Sequence, residues 1–244
     1  MAASVGPTSD QVNPNPSSET SVLRLIDAYG TRWSYRVLRA IADEVLRVLF
    51  RVQISGTANV PASGPFVVAA NHLSWLDAPL LVIAFPRSPR INFVADATFV
   101  TDSSFRWFMG RLIGGVLPLV TKGHGIPPAS HVIQACLAIG GAVGFFPEGR
   151  YANSEAEPLR FHRGFAKAAI EANVPIVPVR VSGTRPLWLR RRVLVEILPP
   201  IYPAGQTADT LAVITREAVA SVQPVDQPPP RFRFFSRLLT RLFP

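Results

Sequence analysis

Cysteine is nearly absent from this chain. Cys136 stands alone among 244 residues, so no disulfide can form within the chain and no cysteine cluster can hold a metal. Acidic residues are also scarce, 16 against 25 lysines and arginines. The resulting net charge of +9 points to an anionic partner: phospholipid head groups, nucleic acid or a phosphorylated substrate. Charged residues of both signs reach only 17%, whereas hydrophobic ones reach 48%. Despite that apolar balance, no run has the texture of a membrane span. The longest uncharged stretches, 52–76 and 123–147, are broken by glycine, proline and polar residues and read as alternating short elements. No basic segment followed by an apolar core stands at the N-terminus, so no secretory signal is expected. The expectation is a peripheral protein on the cytoplasmic face of a membrane.

Residues 1–20, rich in Ser, Pro, Asn and Thr, are expected to be disordered. Residues 21–50 form an N-terminal segment whose second half carries a broad apolar stripe: Tyr35, Val37, Leu38, Ile41, Val45, Leu46, Val48, Leu49 and Phe50. Arg36, Arg39, Asp43, Glu44 and Arg47 flank or oppose it, which predicts an amphipathic helix lying either on the core or on a membrane. Strand and helix patterns then alternate from 52 to 222 without a linker. Strands are expected at 51–54, 66–70, 91–95, 115–120, 142–146, 175–181 and 192–198, and helices at 77–85, 103–112, 128–139, 163–172 and 207–222. This order predicts a single α/β domain over 51–225, with a mostly parallel, mixed sheet flanked by helices. Residues 226–244 form a basic amphipathic tail in which Pro228-Pro229-Pro230 mark the break from the domain and Arg233, Arg237 and Arg241 follow at four-residue steps.

Chemistry concentrates in Asn71-His72-Leu73-Ser74-Trp75-Leu76-Asp77. The buried strand Phe66–Ala70 leads into this stretch and the helix from Asp77 follows it. In open α/β sheets, ligands collect at the carboxyl ends of strands. A histidine whose Nδ1–H is held by a carboxylate keeps Nε2 free as an oriented base. A capping aspartate beside an unrelated loop histidine would give the same spacing, so the other segments decide. Phe145-Phe146-Pro147-Glu148-Gly149-Arg150 ends a second buried strand with a turn where an acid and a base flank a glycine; a plain β-turn is the alternative. Gly114-Gly115-Val116-Leu117-Pro118-Leu119-Val120-Thr121-Lys122-Gly123 reads as a strand delivering a lysine to a glycine turn. Arg160, Arg163 and Lys167 have the spacing of one helical face, suited to a phosphate or simply solvated. Pro175 and Pro178 in an apolar strand imply a bulge or an edge. Cys136, between Ala135 and Leu137, reads as a buried structural thiol. Trp188 with Arg190-Arg191-Arg192 is either a head-group or nucleic-acid patch or a run of solvated arginines.

Together these stretches resemble the four blocks of the glycerolipid acyltransferases, the family of bacterial 1-acylglycerol-3-phosphate acyltransferases. Asn71-His72 through Asp77 matches its N-H-x4-D block, and Phe146-Pro147-Glu148-Gly149 with Arg150 its F-P-E-G block. Phe161 to Gly164 is similar to its basic F-[KR]-[KR]-G step, and Val174 to Val179 to its V-P-I-V-P block. Two departures stand out: Lys122 occupies the place of a usual arginine, and His162 that of a usual cation.

The resemblance implies acyl transfer from an acyl thioester, on coenzyme A or acyl carrier protein, to a lysophospholipid hydroxyl, with lysophosphatidate favoured. His72 would act as base and Asp77 would orient it. Asn71, Gly115, Lys122, Glu148, Gly149, Arg150, Arg163 and Pro178 are the expected substrate-binding residues, with no metal or other cofactor. Two further readings stay open: the same chemistry on a glycolipid, an amino-acid-based lipid or glycerol 3-phosphate, and a non-catalytic basic module for membranes or nucleic acid. Nucleic acid is disfavoured because the arginines alternate with Leu and Phe rather than with stacking platforms and polar readers.

Overall fold

The computed structural model describes residues 33–96, 115–119 and 129–225. The expected disorder of 1–20, the helix at 103–112, the Lys122 turn and the tail at 226–244 lie outside these residues. The sheet strands are β1 (Arg51–Ser55), β2 (Phe66–Ala70), β3 (Ile91–Asp96), β4 (Val116–Leu119), β5 (Ala142–Phe145), β6 (Ile176–Ser182) and β7 (Arg192–Ile197). Among the described residues five α-helices accompany them: α1 (Trp33–Leu49), α2 (Asp77–Ala84), α3 (Ala129–Ala138), α4 (Gly164–Ala172) and α5 (Ala208–Ala220). The spatial order is β1-β7-β6-β2-β5-β3-β4. From β6 to β4 every pairing is parallel; β7 runs antiparallel to β6, and β1 follows β7 in parallel. The sheet is therefore mixed and mostly parallel, as the alternation of elements predicts.

Position in the sheet explains each strand's composition. β2 lies between β5 and β6 and is covered on both faces, so all of Phe66-Val67-Val68-Ala69-Ala70 is buried. The edge strand β1 alternates exposed and half-buried residues, and β7 beside it alternates as well. Phe66, Val68 and Ala70 pack on the face covered by α1 and α2. Val67 and Ala69 pack on the face covered by α3, α4 and α5. Three layers result, with the ends of β2, β5 and β6 opening at one common edge.

The strand with two prolines departs from the edge expectation, because β6 is interior. Pro175 precedes it, its carbonyl accepting Val67 N–H at 2.9 Å. Pro178 sits opposite Ala69, and its own carbonyl accepts Leu198 N–H at 2.9 Å, just where the β7 ladder ends. Opposite Ile176–Val179 the returning chain runs from Ile197 to Ile201, one residue longer, so the bulge half of the expectation holds. The missing proline N–H falls where regular pairing has already stopped.

α1 has two apolar faces. Tyr35 and Leu46, with Phe50 just beyond the helix, are buried against the α2 side of the sheet. Val37, Ile41, Val45 and Val48 are about half exposed, at 45, 53, 47 and 58%, and line up at helical spacing on the outside. Arginine fixes the helix at both ends of its contact. Arg39 donates to the carbonyls of Val82, Ile83 and Phe85 at 2.9, 3.0 and 2.7 Å, satisfying the last turn of α2. Arg190 closes the far end, donating from its guanidinium to Arg47 and Val48 carbonyls and from its backbone N–H to Leu49. Arg39→Ala should destabilise the fold by about 1–3 kcal/mol, since charge-assisted bonds to three carbonyls are lost. A urea titration of the variant against the wild type measures this, and an unchanged midpoint would show that water replaces the guanidinium without cost.

Candidate active site

The loop after β2 folds back on itself so that residues five apart in sequence meet. His72 Nδ1 lies 2.9 Å from Asp77 Oδ2. The same oxygen accepts the backbone N–H groups of Leu73 and Ser74 at 2.7 and 2.9 Å, and Thr184 Oγ1 donates to Oδ1 at 2.7 Å. Asp77 is fully buried, the first residue of α2, where the helix dipole favours a negative charge. A carboxylate ringed by donors can only accept, so His72 carries its proton on Nδ1 and presents the Nε2 lone pair on the far side of the ring. Phe146 stacks on the imidazole at 3.8 Å between centroids and 11° between planes, and Tyr151 meets it edge-on at 4.3 Å. Phe93 stacks in turn on Phe146 at 5.7 Å. The aspartate is therefore no helix cap with a stray histidine beside it: Leu76 holds the cap position and no side chain caps it.

Asn71 has a different task from the one expected of a substrate contact. It is 2% exposed; its Nδ2 donates to Val181 carbonyl at 2.9 Å and its Oδ1 accepts Val181 N–H at 2.7 Å. The side-chain amide acts as an extra peptide unit that extends the β2–β6 pairing by one step and fixes where the His72 loop leaves the sheet.

The turn after β5 completes the wall. Gly149 N–H returns to Phe146 carbonyl at 3.1 Å, and Gly149 adopts φ +68°, a conformation costly for other residues. A Cβ there would meet the His162 ring at 3.5 Å, an ordinary contact, so the backbone conformation rather than lack of space selects glycine. Gly149 and Arg150 are exposed, while Glu148 is 4% exposed. Burial pushes the Glu148 carboxyl up to about 7. The His72 and Leu159 backbone N–H groups work against the rise, Asp77 adds to it, and Arg180 opposes it. Neither Glu148 oxygen completes a hydrogen bond of good geometry among the described residues.

Other candidates are placed elsewhere. Gly115 is buried just before β4, and the register Val116–Phe93–Gly144–Val68 sets it level with Val67, five residues short of His72. A Cβ there would fall 2.0 Å from Asn92 Oδ1, so this glycine serves packing rather than the site. Pro178 is buried within β6, on the same side as Ile176 and away from solvent. Arg163 is the capping residue of α4, its carbonyl accepting Lys167 N–H at 3.0 Å, so these two stand one turn apart as expected, whereas Arg160 lies outside the helix and does not share the face. Arg160, His162 and Arg163 instead line an open depression of about 290 Å³ with Phe161 and Asp209. Arg163 pairs there with Asp209 at 3.3 Å, both well exposed. Cys136 is fully buried beside Asn92, its thiol pushed up to about 11 by burial, which suits a structural role. The arginine run is structural too. Arg190 caps α1, and Arg191 lies 4.2 Å over the Trp188 ring and reaches Glu155 Oε1 at 3.1 Å.

Sequence reasoning missed Thr184, Tyr151 and Glu155. Glu155 receives Gly183 N–H at 2.9 Å, Arg185 N–H at 3.1 Å and Arg191, and its own carbonyl accepts from Arg180. No local spacing joins these residues. The G-T step after a buried strand was the one available signal.

A family model described as Acyltransferase matches residues 51–182. This chain belongs to the acyltransferase family. It is similar to the human 1-acyl-sn-glycerol-3-phosphate acyltransferase alpha, 30% identical over 173 residues, covering 67% of this chain and 59% of that protein. The 1-acyl-sn-glycerol-3-phosphate acyltransferase of Saccharomyces cerevisiae is 30% identical over 168 residues, covering 66% of this chain and 54% of that one. The chain thus matches under two thirds of the length of these acyltransferases. The crystal structure of the 1-acyl-sn-glycerophosphate acyltransferase PlsC from Thermotoga maritima shares the fold. Its TM-score is 0.62 at 22% identity, over 83% of this chain and 85% of that one.

The raised Glu148 carboxyl has a consequence for stability. Its folded value of about 7 lies above the ordinary value of roughly 4.3, so the folded state holds the proton more tightly. Its contribution is most favourable below the unfolded value and is lost as pH rises through the folded one. Wild type should therefore lose a few kcal/mol against Glu148→Gln between about pH 5 and pH 8, read from urea titrations at both pH values. A difference independent of pH would place the carboxylate in a better-solvated setting.

Proposed function

We propose that this acyltransferase moves a fatty acyl group from an acyl thioester, on coenzyme A or acyl carrier protein, to the free hydroxyl of 1-acyl-sn-glycerol 3-phosphate at a membrane surface, forming phosphatidate. The observation that carries the reading is the His72–Asp77 pair, an imidazole held by a buried carboxylate at the carboxyl end of a central parallel strand. His72 Nε2 takes the hydroxyl proton as the oxygen attacks the thioester carbonyl, and Asp77 steadies the imidazolium. When the tetrahedral intermediate collapses, the carbon–sulfur bond breaks and the imidazolium returns its proton to the departing thiolate. The thioester is already activated, so no acyl-enzyme is required. Backbone N–H groups near the site serve the developing oxyanion, because the Asn71 amide is spent on Val181.

Acceptor recognition in this reading falls to the exposed Gly149–Arg150 turn, the Glu148 carboxyl, Arg163 and Lys122. The donor is a co-substrate, and no other cofactor is called for. The apolar outer stripe of α1 supports a peripheral membrane contact on the cytoplasmic side. Four aliphatic side chains there face outward, and among the described residues no helix is long and apolar enough to cross a bilayer.

His72→Ala should lower turnover by roughly 10²–10⁴-fold with folding retained, and Asp77→Asn by nearly as much. The assay supplies labelled acyl-coenzyme A or acyl carrier protein with a panel of lysophospholipids, glycerol 3-phosphate and glycolipid acceptors, and identifies products by mass. Near-wild-type turnover in folded His72→Ala would sink the mechanism, and product from a glycolipid alone would replace the acceptor.

Replacing both Ile41 and Val45 by Glu tests the membrane contact. Binding to vesicles containing phosphatidylglycerol should weaken about tenfold or more, because two apolar groups are lost from the interface and two repulsive charges added. The urea midpoint should stay near that of the wild type, since both side chains are about half exposed. Unchanged vesicle binding would move the contact away from α1.

A further inference from the structure

We propose that Thr184 is a positioning residue for the dyad, holding the Asp77 carboxylate in the plane that lets it orient His72. The proposal rests on the reading of His72 as the base. Asp77 Oδ2 is occupied by three donors from its own loop: His72 Nδ1 and the N–H groups of Leu73 and Ser74. These fix one oxygen and leave the carboxylate free to swing about it. Thr184 Oγ1, 107 residues away in sequence, donates to Oδ1 at 2.7 Å and removes that freedom. Thr184 is 1% exposed and Asp77 is fully buried, so bulk water is not at hand to replace the hydroxyl.

The threonine is itself held from both sides. The N–H of Gly183 donates to Glu155 Oε2 at 2.9 Å and the N–H of Arg185 to Glu155 Oε1 at 3.1 Å. One carboxylate thus brackets the single residue between them. Arg191 neutralises that carboxylate at 3.1 Å, and Arg185 reaches back to Leu73 carbonyl at 3.4 Å. Gly183 makes the turn possible. It adopts φ +84°, and a Cβ there would fall 2.2 Å from Arg192 carbonyl oxygen. A clamped loop after β6 therefore delivers one hydroxyl to the carboxylate that follows β2.

The test compares wild type, Thr184→Val, Thr184→Ser, Asp77→Asn and the Asp77→Asn/Thr184→Val double variant as the full chain. Two readouts are taken: thiol release from palmitoyl-coenzyme A with lysophosphatidate, and the His72 Nδ1 proton by NMR, assigned through His72→Gln. Thr184→Val should lower kcat about 10- to 100-fold while KM for both substrates changes less than about twofold, and Thr184→Ser should recover most of the rate. The Nδ1 proton signal should broaden or vanish in Thr184→Val and persist in Thr184→Ser. On the Asp77→Asn background, Thr184→Val should cost nothing further, because its effect runs through that carboxylate. Should Thr184→Val fail to fold, Thr184→Ala against Thr184→Ser isolates the same hydroxyl. Wild-type kcat and an intact Nδ1 signal without the hydroxyl, or a fully additive loss on Asp77→Asn, would overturn the proposal. Absence of thiol release from the wild type with both palmitoyl-coenzyme A and palmitoyl acyl carrier protein would reject the reading of function, and the NMR comparison would still decide the role of Thr184.

Discussion

The site depends on a buried anion being fully solvated by protein. Asp77 has no water-exposed surface, and an isolated carboxylate in such a place would give up its charge rather than stay unpaired. Four donors prevent that, two from the backbone of the His72 loop, one from the imidazole and one from the loop after β6. The sheet places these donors. β2 and β6 are adjacent and parallel, so the loops leaving their carboxyl ends emerge side by side. Asn71 carries the pairing one step past the last β2 residue, using its side chain where the backbone has begun to turn away. The geometry of the His72–Asp77 pair is thus a continuation of strand pairing, and a slip of β2 against β6 would dismantle it.

Two acids at the site are treated in opposite ways. Asp77 is surrounded by donors that favour its charged form. Glu148, nearly as buried, lacks well-formed hydrogen bonds, and burial carries its carboxyl up to about 7. One acid has its acceptor sites filled by the protein, and the other is left with its oxygens unsatisfied among the described residues. Environment assigns the roles, since the two side chains differ by a single methylene.

Much of this was legible in the sequence, and the reason is that it is local. β2 reads as an unbroken apolar run because both its faces are covered. The H-x4-D spacing survives because the dyad closes within one loop. Boundaries of the described strands fall within a residue or two of expectation for the same reason: Gly140-Gly141 and the Pro147 turn punctuate the chain where the elements end. What was not legible is contributed across the sheet. Thr184 reaches Asp77 from 107 residues away, and nothing near either residue marks the pairing. Gly115 misleads in the opposite sense: it stands on the strand expected to deliver Lys122, yet the register sets it level with Val67, where the space is filled by Asn92.

The basic composition also needs a narrower interpretation than net charge suggests. Arg39 satisfies carbonyls at the end of α2, Arg190 those at the end of α1, and Arg216 those of Pro158 and Leu159. Arg180 and Arg191 are buried, and burial lowers the affinity of each for its proton while Glu155 raises it. These five are fastened to backbone or to a neighbouring acid, the use to which a planar five-donor group is suited. They contribute to the +9 while being committed to structural partners. The attraction to an anionic partner then rests on exposed cations such as Arg150, in the turn after β5, and Arg160, which lines the open depression with His162 and Arg163. Cations gathered in one depression suit a compact anionic group better than a polyanion spread across the surface.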